Sequence, residues 1–313
     1  MQKDNSYIKN YLHLHLIVFI WGFTAILGKV ISLEALNLVC YRMFFGAIFI
    51  YIFIYIKKLS IKISFKTFTQ FALLGIVIAA HWFTFYEAIK VSNISITLAC
   101  LSTGAFFASI IEPVLFKKKL NWLNLFLGLF VIVGLYFIAF ATTIEKHGFF
   151  SSFNHIFTDA SVPFEGVVLA IISAFLSALF SVINGKFAKI HDATIISFYE
   201  IGVGFVSITI YMLFADKLDA SFFQLSLNDF FWLMILSSIC TAYAFLASVK
   251  VMKIISPFTV MLTTNLEPIY GIILALLFYN ETEKMSPIFY IGAFIILISV
   301  LLNGFIKIRL LRK

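Results

Sequence analysis

Apolar positions along this chain fall into long unbroken runs separated by short polar stretches, and the runs show no alternation of period two. A run of about 20 apolar residues crosses a bilayer as an α-helix, whereas a membrane barrel strand needs only about ten alternating ones. The pattern predicts ten spans, at residues 11–32, 35–56, 67–89, 94–116, 121–141, 165–187, 193–214, 229–249, 256–279 and 286–306. Two starts are marked by Ser256-Pro257 and Ser286-Pro287. Each pairs a serine N-cap with a proline whose missing N–H is harmless in a first helical turn. Connections are short except at residues 142–164, which read as a polar loop. The chain divides there into a first five-helix unit (1–141), an extracytoplasmic linker (142–164) and a second five-helix unit (165–313).

Composition supports the lipid-facing reading. The chain is 62% hydrophobic and 12% charged, against about 45–50% and about 25% in soluble domains. MQKDNSYIKN leads into an apolar stretch that lacks an Ala-x-Ala cleavage site, so it reads as a retained first helix. Cys40, Cys100 and Cys240 sit inside apolar runs at spacings that fit neither a disulfide framework nor a zinc site. They read as packing residues. The net charge of +8 would suggest nucleic acid for a soluble chain. In a membrane chain it is the placement of the charges that matters.

That placement is lopsided. With both termini cytoplasmic, seventeen basic residues face inward, including Lys57, Lys58, Lys66, Lys117, Lys250 and Arg309. Five face outward: Lys29, Lys90, Lys146, Lys217 and Lys284. The excess orients the chain with its ends inside, as expected in an inner cell membrane.

The two units carry a faint repeat. Gly28-Lys29, Tyr41-Arg42 and Gly46 return as Gly185-Lys186, Tyr199-Glu200 and Gly204, and Lys90 and Thr103 return as Lys250 and Thr263. Five spans is an odd number, so the second copy enters from the opposite side. The expected fold class is an all-α membrane protein of ten transmembrane helices, built as two inverted five-helix repeats. In transporters with such repeats the site lies near the midplane at the repeat interface.

Charge inside the apolar runs marks the candidate site, because intramembrane charge is costly and by default functional. In Leu262-Thr263-Thr264-Asn265-Leu266-Glu267-Pro268-Ile269-Tyr270, Glu267 falls about 16 Å into its span at 1.5 Å per residue. Pro268 should free the carbonyl of Thr264 within one kinked helix. Arg42 and Glu200 are counterparts in the repeat, placed to act as alternate gates or to hold opposite ends of a zwitterion. Glu267 lies roughly 6 Å deeper than Arg42, close enough to pair if spans two and nine are neighbours. Burial favours a neutral carboxyl and a nearby arginine a charged one. A glutamate held between those effects can exchange a proton, so Glu267 and Glu200 are the proton-coupling candidates. His81, Trp82, Tyr86 and Glu87 offer span three's lining for an amine or an aromatic ring. Glu112 lies one turn from a lysine cluster and reads as structural. His13 and His15 read as interfacial, and the loop groups His147, His155 and Asp159 as solvated. No metal site and no cofactor are expected.

Trp21-Gly22, Arg42, Tyr86-Glu87-Ala88 through Asn93, and Leu266-Glu267-Pro268 followed by Leu277-Phe278-Tyr279-Asn280-Glu281 give the whole chain a resemblance to the drug/metabolite transporter superfamily. Within it the chain is most similar to the EamA-like branch of ten-span, two-repeat proteins. The resemblance implies a central cavity among spans one to four and six to nine, with five and ten at the periphery. It also implies transport of small metabolites, often outward. Trp21, Arg42, His81, Trp82, Tyr86, Glu87, Asn265 and Glu267 are then the expected cavity residues. Glu112-Pro113 departs from the family pattern by falling near the inner end of span four.

Other classes fit less well. No Walker motif, His-Glu-x-x-His or Gly-x-Ser-x-Gly occurs, which removes the sequence basis for an ATP-driven pump or an intramembrane hydrolase. A scaffold or sensor has no use for mid-membrane charge. A carrier of phosphorylated metabolites would need several cavity cations, and Arg42 is the one available. The expected partners are a small organic substrate (amino acid, other zwitterion, amine or drug) and the lipid bilayer, with no nucleic acid.

Overall fold

The computed structural model describes residues 2–117, 119–149, 164–220, 222–283 and 285–311. Every regular element among them is a helix. Hydrocarbon offers no water to the backbone, so each span has to satisfy its own N–H and C=O groups, and a helix does that internally. The first part of the chain forms α1 (Gln2–Val30), α2 (Ala35–Ile56), α3 (Phe65–Val91), α4 (Ile94–Leu101), α5 (Gly104–Phe116), α6 (Trp122–Ala139) and the short α7 (Ala141–His147). The second forms α8 (Phe164–Phe187), α9 (Ala193–Phe214), α10 (Leu227–Ile235), a π-helical segment Leu236–Tyr243, α11 (Ala244–Val251), α12 (Pro257–Thr264), α13 (Glu267–Glu283) and α14 (Pro287–Leu311).

Eight stretches among the described residues are long and apolar enough to cross a membrane: Tyr7–Val30, Ala35–Ile56, Phe65–Val91, Ile94–Phe116, Phe164–Phe187, Ala193–Phe214, Leu227–Val251 and Pro257–Tyr279. Two shorter apolar helices, Leu125–Ile138 and Pro287–Ser299, lie where spans five and ten were expected. The protein is an integral, multi-pass, all-helical membrane protein. The supposed polar loop begins instead with α7, and residues 150–163, with His155 and Asp159, lie outside the described residues.

Capping side chains set several helix starts. Ser64, Asn93, Asp192, Ser226 and Ser256 each accept a hydrogen bond from a backbone N–H of the first turn that follows. At Ser256 the proline follows at the first helical position, as its sequence signal predicted.

Three spans are irregular. In the fourth apolar stretch, α4 stops and α5 restarts through a tight turn, with Ser102 N–H donating to Ala99 O at 3.2 Å and Thr103 N–H to Cys100 O at 3.1 Å. In Pro257–Tyr279, Asn265 N–H donates to Leu262 O at 3.1 Å and Leu266 N–H to Thr263 O at 3.0 Å before α13 begins. One kinked helix was expected there. The chain breaks instead, and Pro268 sits in the first turn of a new helix, where a missing N–H is tolerated. The third irregular span holds the π segment between α10 and α11.

Packing divides the bundle into a centre and a flank. α3 lies against α8 and α9, α2 against α9 and the π segment, and α1 against α13 and α11. Their buried Leu, Ile, Val and Phe side chains form one continuous core. α6 and α14 pair with each other at the side. Their backbones meet at two glycines: a Cβ on Gly292 would stand 2.5 Å from the carbonyl oxygen of Gly134, and one on Gly134 2.7 Å from that of Gly292. Close backbone approach through small residues is how helices associate in lipid, which supplies no hydrophobic drive between them.

Gly292→Val should therefore push α14 off α6 and cost about 1–3 kcal/mol. A lowered thermal unfolding midpoint of the detergent-purified protein, relative to Ile291→Val at an exposed neighbouring position, is the expected result.

Candidate functional site

The three irregular spans converge on a single cavity. Ser102 at the α4–α5 break, Asn265, Glu267 and Pro268 at the α12–α13 break, and Phe245 just beyond the π segment all line it. α1, α2, α3 and α8 supply the remaining walls, and α6, α9 and α14 supply none. Its volume is about 60 Å³, room for on the order of four water molecules. The lining extends from Arg42 on α2 down to Met252 and Val260, at the far end of the bundle from the α1–α2 connection.

Arg42 is 3% exposed and held on three sides. Its Nε donates to Thr241 Oγ1 at 2.7 Å and an Nη1 N–H to Tyr86 Oη at 2.7 Å. The guanidinium carbon stands 3.8 Å from the centre of the Trp82 ring, a cation–π contact of the kind that strengthens once water is excluded. Thr241 is itself fixed by donating to Leu236 O, five residues back in the π segment. Two of the five guanidinium N–H groups are thus used in holding the head. Those left over belong to a side chain that lines the cavity.

Glu267 is 5% exposed and is the first residue of α13, where the positive end of the helix dipole favours an anion. It lines the same cavity as Arg42, yet the two form no ion pair among the described residues. The direct pairing expected from their depths is replaced by Thr241, Tyr86 and Trp82. Beside Glu267, the buried Nδ2 of Asn265 has no hydrogen-bond partner. An unsatisfied buried donor is costly, and this one belongs to a residue of the cavity wall.

The other sequence candidates separate. Trp21, His81 and Trp82 line the cavity. Trp21 Nε1 donates to Cys240 O of the π segment at 3.3 Å. His81 is tied to α8: its Nδ1 lies 2.9 Å from Ser173 O and 2.8 Å from Ser173 Oγ, while Ser173 Oγ donates back to His81 O. A carbonyl only accepts, so Nδ1 carries the proton. Tyr86 is fully buried behind Arg42 and positions it. Glu87 is half-buried and outside the lining, since its helical phase turns it away from Trp82. Glu112 also lies off the cavity lining. Its Oε2 accepts from Phe258 N–H at 3.2 Å, bridging α5 to the start of α12. Glu200 is fully buried against Asn184 and likewise outside the lining.

The family model for the EamA-like transporter family matches residues 9–140 and again 164–305. The chain belongs to the EamA-like transporter family. Members of this family are membrane transporters of small molecules. A crystal structure of another protein has the same fold, with a TM-score of 0.67, 14% identity, and alignment over 95% of this chain and 97% of that one. No curated protein sequence matches the chain.

In this EamA-like chain the end of the bundle nearest Arg42 is tied together by contacts that sequence reading did not foresee. Asp229, at the start of α10, accepts from Ser32 N–H at 2.8 Å and from Ser32 Oγ at 2.7 Å. Ser226 Oγ donates to the same carboxylate at 2.8 Å. Lys90 Nζ donates to Ile31 O at 2.9 Å. The α1–α2 connection is thereby bound to the ends of α3 and α10. Thr241 and Ser102 were missed as well. The signal available for Ser102 was Ser102-Thr103-Gly104, a polar, glycine-containing breaker inside an apolar run.

Tyr86→Phe should strip a charge-assisted bond from Arg42 and lower stability by about 1.5–3 kcal/mol. Thr241→Val should do the same at Nε. Thermal unfolding of both single variants and the double variant checks this, with a non-additive double variant as the expected sign that they share one partner.

Proposed function

We propose that this chain is a secondary transporter that exports a small organic metabolite, an amino acid, another zwitterion or an amine, by alternating access. The observation that carries this reading is a buried guanidinium and a buried carboxyl lining one cavity without pairing with each other. Their charges match the two ends of a zwitterion, and Trp21, Trp82 and Phe245 supply an apolar wall between them. Arg42 would receive the substrate carboxylate on its remaining N–H groups, with the unpartnered amide of Asn265 as a further donor. Glu267 would receive the ammonium as a carboxylate, or, when protonated, pass its proton to the substrate's neutral amine.

Alternating access requires a cavity closed on one side and opened on the other. Support comes from the Asp229–Ser32 and Lys90–Ile31 latch at one end and from a lining that runs toward the other. Basic residues crowd the end toward which the cavity runs, so the positive-inside rule makes that end cytoplasmic. The chain would then be a ten-span carrier of the inner cell membrane, with both termini inside and its outer latch closed. Two five-helix units of opposite orientation (1–141 and 165–313, joined by 142–164) would rock about the cavity. The breaks between α4 and α5 and between α12 and α13 suit the discontinuous helices of inverted-repeat carriers. Proton coupling is assigned to Glu267.

Flux in proteoliposomes, run against a panel of amino acids and amines, tests the reading. Arg42→Lys keeps the charge but loses the flat stacking surface and fork, and should lower transport on the order of tenfold or more. Glu267→Gln should transport with its dependence on an imposed pH gradient abolished. Unchanged gradient dependence in that variant removes the coupling role. Loss of no panel substrate in Arg42→Lys removes the substrate-binding role.

A further inference from the structure

Glu200 has no part in the cavity, yet it sits in the least satisfied polar cluster of the described bundle. It is 0% exposed on α9, and its Oε2 accepts from Asn184 Nδ2 of α8 at 3.0 Å. Its Oε1 has no hydrogen-bond partner. Neither has Oδ1 of Asn184 nor Oγ of Ser197, both on residues that are themselves 0% exposed. Ser197 lies three residues before Glu200, on the same face of α9. The result is three buried oxygens without donors, two of them on residues joined by the Asn184–Glu200 bond and the third one helical turn before Glu200 on α9.

What would complete them follows from their chemistry. Asn184 Nδ2 donates to the carboxyl group of Glu200, which leaves the amide oxygen of Asn184 outside that bond and without a donor. A buried carboxylate with one donor is expensive unless a cation joins it. A protonated Glu200 has a single O–H to give, so it could supply a donor to one of the oxygens of Asn184 and Ser197 but not to both. A hard cation, whose preferred ligands are carboxylate, amide and hydroxyl oxygens, satisfies all three at once. The space is confined. α3 crosses α9 so closely that a Cβ on Gly75 would stand 2.5 Å from the backbone carbonyl oxygen of Glu200, and helices packed this near leave room between them for a small ion rather than a large one.

The cluster is also wired to the cavity. On α8, Ser173 bonds His81, Ser177 and Ser181 line the cavity, and Asn184 follows one turn on. Spacings of four, four and three residues place these polar groups along one helical stripe.

We propose that Glu200, Asn184 and Ser197 form a binding site for Na⁺, joining α8 to α9 at the end of a polar stripe that leads to the cavity. The site is defined by binding alone, so its test is independent of any transported substrate. Thermal unfolding of the purified protein is followed in NaCl, KCl and choline chloride at matched ionic strength and fixed pH. The expected result is a saturable rise in Tm with Na⁺ over choline, larger than with K⁺. Glu200→Gln, nearly isosteric and neutral, should keep the fold and lose the Na⁺ response. Ser197→Ala, which removes a single oxygen, should weaken the apparent Na⁺ affinity on the order of tenfold. Equal midpoints in the three salts overturn the proposal in favour of a buried water or a retained proton. So does a Na⁺ response that survives in both variants. Should Glu200→Gln fail to purify, the Ser197→Ala titration decides alone.

Discussion

A main-chain N–H or C=O that loses its helical partner in hydrocarbon has no water to turn to, and this constraint governs where the bundle can be irregular. Breaks are tolerated where they face a cavity or are covered by other protein. The α4–α5 and α12–α13 breaks and the π segment therefore do more than interrupt helices. They mark the part of the bundle where polar groups have company. Ser102, Asn265 and Thr241 are at or within those irregularities, and each meets either the cavity or Arg42. The regular helices α6 and α14 have no such interruption, face each other through two glycines, and stand aside from the cavity.

Within that region the electrostatics are arranged around one immobilised cation. Three contacts from α3 and the π segment fix the Arg42 head, so its orientation is set before anything binds. Glu267 is placed by different means, at the start of a helix whose dipole suits an anion. Because each group is positioned by its own surroundings, they share a cavity without being bonded directly to one another. A directly bonded pair would have offered a ligand little to interact with.

How much of this could be read from sequence depended on the range of each contact. The helical membrane class, the family and the positions of Arg42 and Glu267 were legible, because run length and charge within a run are local properties. Trp82 and His81 were legible as a pair for the same reason. Glu87 shares their neighbourhood in the chain but points elsewhere, as helical phase decides and proximity does not. The break at Ser102 was hidden because the flanking residues are apolar enough to read as one helix. Asp229 with Ser32, and Arg42 with Thr241, lie far apart along the chain and are joined only by tertiary packing. Pro268 was recognised as a disturbance, although its place in the first turn of α13 depends on where the preceding helix stops.

The π segment gears twist to charge. Such a turn holds one residue more than the α-helical ladder needs. Absorbing that residue into a regular helix would rotate α11 relative to α10 by about 100°, the angle of one residue at 3.6 per turn. Thr241 would swing away from Arg42 Nε, and Ser248, on the far side of the same turn, would sweep across the cavity wall. A change in ladder register over eight residues would therefore remove one of the three holds on the guanidinium at one level of the bundle and shift the passage wall at another.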